Sequence, residues 1–222
     1  MTSESIERAK EIADEWANIV TSWEKSYGER FPWREKRTPY KVFISEILLK
    51  RANPKPAYKV FKEFLEAYPD IESLFNASIS DLEILIRPIG LNKQKSRLLK
   101  ELATIIKEEH NGQIPSEYQS LTEFPSIGEY TASAIICFGY EVPIATVGSN
   151  VDRILCRVFS ARSTEVKNIA EILLNKNEPD VYNYGLLDLG TICHYKFPKC
   201  HSCPLIHFCD YKKRGHDKLF RK

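Results

Sequence analysis

Several features that would place the chain in a particular class are missing from its 222 residues. No apolar run reaches the roughly 18 residues that a membrane-spanning helix needs, and the N-terminus, Met-Thr-Ser-Glu-Ser, does not read as a secretory signal. The net charge is only +2, which by itself does not indicate a nucleic-acid partner. We see no internal repeat, low-complexity segment or long linker. We therefore expect a cytoplasmic protein that does not associate with membranes and whose cysteines stay reduced.

Apolar residues recur at helical spacing through most of the sequence. In the first helix they mark one face: Ala9, Ile12, Ala13, Trp16, Val20 and Trp23. No segment alternates in the way of a half-buried strand, and Ser80 with Glu83 forms a capping-box pattern that predicts another helix start. Because 43% of the residues are apolar, the chain can bury one substantial core or two small lobes. We predict an all-α protein of two lobes.

Four cysteines near the C-terminus form the strongest local signal. They are Cys193, Cys200, Cys203 and Cys209, in the order C-x6-C-x2-C-x5-C. Iron–sulfur clusters are held by four thiolates from short, loop-rich segments, and Pro198 and Pro204 keep this stretch from forming one helix. Structural zinc sites also use four thiolates, so zinc competes on spacing alone. Two disulfides are the least favoured interpretation in a reducing compartment. The remaining cysteines, Cys137 and Cys156, are predicted to be buried free thiols.

A second pattern lies at residues 121–135 and predicts a helix-hairpin-helix. It consists of an apolar helix end, a Pro-x-x-Gly turn and a helix rich in small residues. Pro125 ends the first helix, Gly128 permits tight backbone geometry, and free amides at the start of the second helix bind phosphate without reading base sequence. From this motif alone, an ordinary helical hairpin in an all-α core is the favoured interpretation.

Taken together, the hairpin and the cysteine spacing resemble the helix-hairpin-helix DNA glycosylases, in the iron–sulfur branch that contains endonuclease III, adenine glycosylases and thymine mismatch glycosylases. Six further segments match in the same order: Phe31-Pro-Trp-Arg34, Ile44-Ser-Glu-Ile-Leu-Leu49, Ile89-Gly-Leu91, Asn111-Gly-x-x-Pro115, Asn150-Val-x-Arg153 and Gly185-Leu-Leu-Asp-Leu-Gly190. On this resemblance the four cysteines hold a [4Fe-4S] cluster, and zinc becomes a minor alternative.

The resemblance also implies an architecture and a partner. A six-helix lobe is expected over residues 30–140, with the helix-hairpin-helix at 121–135. A second lobe is expected from residues 1–29 and 141–222, with the cluster loop at 193–209 and a DNA cleft between the lobes. The implied partner is double-stranded DNA that contains a mispair or a damaged base, bound by a monomer in the nucleoid. Basic residues at 93–100 and 212–214 are either part of a DNA footprint or solvated faces.

Two residues are predicted to take part in the chemistry that the resemblance implies. Glu46 lies in a helix that is apolar almost all round, so burial should raise its pKa and let a protonated carboxyl act on a substrate base. The matching glutamate of adenine glycosylases assists departure of the base; a surface glutamate is the alternative. Tyr130 stands where bifunctional members carry a lysine, and a phenol cannot form a Schiff base with the sugar. A monofunctional enzyme is therefore implied, with plain packing as the alternative role of Tyr130.

Further residues are assigned to DNA binding by the same resemblance. Arg51 and Leu91 match residues that enter the duplex when the target nucleotide is flipped out. The alternatives are a phosphate contact for Arg51 and a core position for Leu91. The hairpin contributes the other predicted DNA contacts, which are Ser126, Ile127, Gly128 and Tyr130.

The sequence departs from the family at Gly148, where the family carries its essential aspartate. A carboxylate there stabilises the cationic sugar or positions the attacking water, and glycine does neither. Asp152 lies one helical turn onward, which we judge too far from the cleft to substitute. Three interpretations remain: an inactivating substitution that traps substrate, a natural non-catalytic binder, or an enzyme that uses Glu46 or another group. We favour the first because the neighbouring motifs are intact.

These features predict a monofunctional base-excision DNA glycosylase that acts on thymine or uracil opposite guanine and is weakened or inactive because of Gly148. The alternative substrate is adenine opposite guanine or oxidised guanine. Adenine glycosylases that recognise oxidised guanine usually add a C-terminal domain, whereas this chain ends soon after Cys209. A different class of function is a mispair-binding DNA sensor without catalysis.

Overall fold

The computed structural model describes residues 3–215 and is helical throughout this part of the chain, with no strand, so the all-α prediction is confirmed. The α-helices are α1 (Glu4–Tyr27), α2 (Pro39–Leu49), α3 (Pro54–Ala67), α4 (Ile71–Asn76), α5 (Ile79–Ile86), α6 (Asn92–Glu109), α7 (Tyr118–Glu123), α8 (Glu129–Ala134), α9 (Ser149–Phe159), α10 (Val166–Leu173), α11 (Pro179–Ile192) and α12 (Asp210–Lys213). A π-helical segment, Ile135–Gly139, continues α8. Among the described residues, no helix is long and apolar enough to cross a membrane.

The chain divides into two compact units. The terminal unit consists of Met1–Glu29 with Glu141–Lys222, and the central unit consists of Arg30–Tyr140. The cluster loop and Gly148 therefore belong to the terminal unit, whereas Glu46 and the hairpin belong to the central unit. Residues 1–2 and 216–222, which the sequence places in the second lobe, lie outside the described residues.

The terminal unit is built around α1. Ala9, Trp16 and Val20, which the sequence places on one face, have no exposed surface. Trp16 packs against Phe159 with ring centroids 5.5 Å apart, and its indole Nε1 donates to the Tyr182 hydroxyl at 2.9 Å. The polar end of a buried tryptophan is thereby satisfied, as a stable core requires.

The central unit has a separate apolar core. The helices α4 and α5 pack against α6, and α2 packs against the π-helical segment. Phe43, Phe64, Leu82 and Leu99 are fully buried in this unit. Burial of each such side chain stabilises the fold by about 1.5–3 kcal/mol.

Local sequence determines where the helices begin. Pro39 and Pro54 occupy the first turns of α2 and α3, where a missing amide costs little. The predicted capping box at Ser80 and Glu83 is wrong. Ser78, which has extended backbone, caps α5 instead, and its Oγ accepts from the Asp81 amide at 3.1 Å. Ser80 is already within the helix and cannot serve as its N-cap.

Candidate functional site

The first predicted catalytic residue, Glu46, lies in the middle of α2. The buried side chains of this helix surround it along the chain, and Ser45 and Ile47 on either side are buried. Glu46 keeps some exposed surface, yet burial raises its pKa from 4.5 to about 7. Desolvation disfavours the carboxylate, so the carboxyl holds its proton close to neutral pH. A group in this state can donate a proton to a leaving base.

The helix-hairpin-helix forms where the sequence predicts it, but its backbone differs in one respect. Gly128 has extended backbone (φ −94°, ψ −180°), which any residue adopts, and a Cβ there would meet no atom within 4 Å. The left-handed residue of the turn is Ser126, with φ 62°. The expectation that Gly128 supplies tight geometry is therefore wrong. Its contribution is the open space in front of the backbone, where a ligand can approach closely.

The predicted DNA contacts of the hairpin differ in accessibility. Ser126 and Gly128 are exposed, whereas Ile127 is buried and its amide donates to the Phe124 carbonyl at 3.1 Å. That amide belongs to the turn and is not directed at a ligand. Tyr130 is half-buried in the first turn of α8, and its carbonyl accepts from the Ser133 hydroxyl at 2.9 Å.

A recess in the central unit collects the two residues predicted to enter DNA. Arg51 and Leu91 line it together with Ser126, and all three have left-handed backbone, with φ of 54°, 54° and 62°. Arg51 is exposed, and Leu91 is 40% exposed at the N-cap of α6, so Leu91 is not a core residue. The other residues that line the recess are Ile47, Lys50, Gln94, Lys95 and Leu98. The charged groups in this lining are all cationic.

The loop before α9 holds Gly148, the position at which the resemblance leads us to expect an aspartate. Gly148 is the N-cap of α9, with φ −107° and ψ −178°, and its carbonyl accepts from the Asp152 amide at 2.9 Å. The preceding loop is held by side chains of α10 and α11. The Ala145 amide donates to Glu171 at 3.0 Å, and the Thr146 amide and hydroxyl donate to the Asn183 side-chain oxygen at 2.9 and 3.0 Å. The backbone around position 148 is thus fixed without help from a side chain at 148.

The same helix is fastened to α11 by close packing. Gly190 faces Asn150, where an added Cβ would lie 2.6 Å from the Asn150 Cβ, so only glycine fits without rearrangement. Arg153 donates to the Asn150 side chain at 2.8 Å and to the Gly190 carbonyl at 2.9 Å. Two of the matching sequence segments therefore meet in a single contact.

The four predicted metal ligands line one cavity. Cys193, Cys200, Cys203 and Cys209 share it with apolar side chains that include Leu189, Ile192 and Leu205. All six cysteines of the chain are free thiols. Within residues 3–215, no three His, Cys, Asp or Glu side chains form a group that could hold a metal ion. The four thiols thus face a common space, although they are not gathered around a single point.

The electrostatics of this cavity are set by burial and by α9. Burial, with smaller contributions from the neighbouring cysteines, raises the pKa of Cys203 to about 12, and burial also raises that of Cys209. Thiolates here require a compensating positive charge. Arg157 supplies one, because its Nη1 lies 3.3 Å from the Cys193 Sγ and its guanidinium also donates to the carbonyls of Cys193, His194 and Tyr195. A donor set of four thiols beside an arginine suits an iron–sulfur cluster.

Three residues of interest were not among those predicted from the sequence. Lys95 belongs to a basic segment that could equally be a solvated face, yet it is 4% exposed. Asn183 and Arg157 lie on helices at positions where only the tertiary contacts reveal a role. For Arg157, the signal that could have found it is its place one turn after Arg153, on the same face of α9.

The fold and the hairpin define the class of this molecule, an all-α helix-hairpin-helix protein. The model of the HhH-GPD superfamily base excision DNA repair proteins matches residues 44–179, and the chain belongs to this superfamily. The resemblance drawn from the sequence motifs is therefore confirmed.

Known proteins similar to the chain cover nearly all of it. A thymine/uracil-DNA glycosylase from Pyrobaculum aerophilum is 30% identical over 218 residues, which span 92% of this chain and 94% of that protein. An adenine DNA glycosylase from Buchnera aphidicola subsp. Schizaphis graminum is 32% identical over 90% of this chain, but only 60% of the longer relative is covered. The solved structure of a thermostable thymine-DNA glycosylase has a TM-score of 0.87 at 26% identity, covering 95% of this chain and 100% of that one.

Proposed function

We propose that the chain is a monofunctional DNA glycosylase scaffold for thymine or uracil opposite guanine, in which Gly148 weakens or removes catalysis. The observation that carries this proposal is the similarity to a thymine/uracil-DNA glycosylase along 94% of that protein's length. The substrate is double-stranded DNA in which the mispaired nucleotide is flipped out of the stack. Flipping costs least at a mispair, which favours damaged sites over matched pairs.

The reaction is hydrolysis of the N-glycosidic bond. Water adds to the sugar carbon, the bond to the base breaks, and its electron pair leaves with the base, which takes up a proton. Glu46, whose pKa is about 7, is the residue we assign to protonating or hydrogen-bonding the departing base. Tyr130 forms no imine with the sugar, so the strand is left uncut. Positive charge that builds on the sugar meets no carboxylate at Gly148, and excision is correspondingly slow.

DNA binding is assigned to the central unit. The exposed Arg51 and Leu91 are proposed to fill the space left by the flipped nucleotide. The exposed backbone at Ser126 and Gly128 is proposed to contact phosphate, where the open space in front of Gly128 admits close approach. Ile127 contributes packing of the turn and no direct contact, because its side chain is buried and its amide is bonded within the turn.

We assign Cys193, Cys200, Cys203 and Cys209 as the ligands of a [4Fe-4S] cluster. The donor set fits, since four thiols line one cavity and Arg157 adds a positive charge beside Cys193. When bound, the cluster would cross-link the loop 193–209 by metal–thiolate bonds. The chain's own residues carry out the DNA chemistry.

Two other functions are each favoured by one observation. Adenine excision is favoured by the 32% identity to an adenine DNA glycosylase. A mispair sensor without catalysis is favoured by Gly148 itself, because the loop around it is fully formed without a side chain there.

A panel of duplexes separates these functions. Each carries one G·T, G·U, G·A or oxidised G·A pair, and binding by this chain is measured beside excision by the Gly148→Asp variant. Excision of thymine or uracil supports our proposal, excision of adenine supports the first alternative, and tight mispair binding without excision of any base supports the sensor. Borohydride is added in parallel; a trapped covalent DNA adduct would contradict the monofunctional assignment of Tyr130.

A further inference from the structure

Lys95 is a buried lysine for which the proposed reaction has no use. It lies in the first two turns of α6, is 4% exposed, and burial lowers its pKa. Its ammonium Nζ donates to the Leu48 carbonyl at 2.7 Å. Removing an ammonium group from water is unfavourable unless the group is paired, so this contact must compensate for its burial.

The Leu48 carbonyl lies at the end of α2, where such groups lack helical partners. The last carbonyls of a helix find no amide one turn ahead, and they carry the negative end of the helix dipole. The Ala52 amide turns back to the Leu49 carbonyl at 2.9 Å, and Lys95 supplies the donor for Leu48. The lysine thus satisfies a carbonyl in the last turn of α2, three residues before Arg51.

The other residue predicted to enter DNA, Leu91, is joined to Lys95 through the backbone at the start of α6. The Lys95 backbone amide donates to the Leu91 carbonyl at 2.9 Å. One residue therefore bonds through its side chain to the end of α2 and through its amide to Leu91. Arg51 and Leu91 both have φ of 54°, a conformation that bulky residues keep only when their surroundings impose it.

A second lysine joins this arrangement to the hairpin. Lys50 donates through Nζ to the carbonyl of Ser126 at 3.2 Å. Ser126 is the third left-handed residue around the same recess. Because Lys50 is exposed and Lys95 is buried, water competes for the first contact and hardly for the second. The rigid link is consequently the one made by Lys95.

We infer that Lys95 is a positioning residue that holds Arg51 and Leu91 in the arrangement with which they enter the duplex beside a flipped nucleotide. This inference rests on the proposed function, since it assigns a role to the same recess. A lysine of purely structural importance would affect folding alone. A positioning lysine affects base unstacking in a protein that is folded and binds DNA.

The matched control is Lys100 on the same helix. It is partly buried, and its ammonium donates to the Phe75 carbonyl near the end of α4, so it makes the same kind of contact away from the recess. Lys95→Met and Lys100→Met each remove one such contact. Lys95→Arg keeps a charged donor and serves as the conservative rescue.

Base unstacking is measured by the fluorescence of 2-aminopurine placed next to a G·T pair, at saturating protein. The affinity of each variant for the matched duplex is measured in parallel. We expect Lys95→Met to reduce the fluorescence gain about threefold or more and the preference for mispaired over matched DNA by roughly tenfold. Affinity for matched duplex should stay within about twofold of the unmodified chain. Lys100→Met should retain the gain, and Lys95→Arg should recover at least about half of it.

Equal fluorescence gains from folded Lys95→Met and Lys100→Met would overturn the inference and leave the proposed function standing. If the unmodified chain unstacks no mispair, the proposed function fails first and the inference with it. Circular dichroism checks folding. If Lys95→Met does not fold, Lys95→Gln, which keeps one amide donor for Leu48, is compared with Lys100→Gln. A smaller fluorescence gain for Lys95→Gln than for Lys100→Gln supports the inference, and equal gains overturn it.

Discussion

The recess of the central unit and the loop before α9 are assigned to the same reaction in the proposed function, but they differ in which of the assigned side chains are present. At the recess, Arg51 and Leu91 are present, exposed and in left-handed conformations. At the loop, Glu171 and Asn183 bond to the backbone just before Gly148, but Gly148 itself has no side chain. The machinery assigned to entering DNA is thus intact where the group assigned to the sugar cation is missing. The proposed function therefore predicts that DNA binding and cleavage of the glycosidic bond can be separated in this chain.

The loss of a cluster ligand is expected to have the largest effect on the terminal unit. Cys203→Ser removes one of the four thiols that line the cavity. If these thiols hold the cluster, the iron content should fall from about four atoms per chain to below one. The free energy of unfolding should decrease by more than ~4 kcal/mol, which lowers the thermal unfolding midpoint by roughly 10 °C. Iron analysis, absorbance near ~400 nm and a thermal melt measure this.

The control for the cysteine change is Cys156→Ser, which alters a partly buried free thiol that does not line the cavity. It should keep its iron and its colour. One zinc and no iron in the unmodified chain would contradict the cluster assignment, while leaving the glycosylase proposal in place.

The conformation of the loop before Gly148 is expected to depend on Asn183. This side chain is 1% exposed, accepts from Thr146 and donates to the carbonyls of Ile144 and Pro179 at 3.1 and 2.8 Å. Asn183→Ala leaves buried polar groups of the loop without partners and should lower the free energy of unfolding by about 2–4 kcal/mol. Urea denaturation measures this, with Asn177→Ala on the exposed surface as a control that should change little. Equal stability of the two variants would show that other contacts hold the loop.

Replacement of Glu46 is expected to change the free energy of unfolding by a smaller amount, which depends on pH. Because the native pKa of about 7 exceeds the usual 4.5, the folded protein binds more protons in this window, and stability falls as pH rises through it. Glu46→Gln removes the cost of ionising a buried carboxyl at high pH. Its stability relative to the unmodified chain should therefore increase by about 2–3 kcal/mol between pH 5 and pH 8.

Urea denaturation at the two pH values measures the Glu46 effect. The exposed Glu66→Gln on α3 controls for the loss of one carboxylate. A Glu46→Gln curve that follows the control at both pH values would mean that the carboxyl is well solvated. It would then also be a poor proton donor near neutral pH.

Local patterns predicted the helices and the hairpin, because helical periodicity, Pro125 and the small residues of α8 act within short stretches of chain. The raised pKa of Glu46 also follows from its apolar neighbours in sequence. The predicted cap at Ser80 and the predicted tight backbone geometry at Gly128 were wrong. The residues that take these roles, Ser78 and Ser126, each lie two positions earlier in the chain, and local patterns do not fix such positions to the residue.

The remaining features depend on distant parts of the chain and could not be read from sequence patterns. Lys95 looks like part of a solvated basic segment until its bond to Leu48, 47 residues away, is seen. Asn183 acts through a loop 37 residues earlier. Buried polar contacts of this kind are determined by tertiary packing, so local periodicity does not predict them.

The most direct test of the central claim is single-turnover excision of thymine or uracil opposite guanine by Gly148→Asp, beside Gly148→Asn and the unmodified chain. Asp suits this N-cap position, where extended backbone accepts any residue, and its charge should stabilise the sugar cation by ~3–4 kcal/mol. We predict an increase in excision rate of about 10²–10³ for Gly148→Asp, little gain for the uncharged Gly148→Asn, and similar mispair binding by all three. A folded, DNA-binding Gly148→Asp protein that excises no faster than Gly148→Asn would contradict the account.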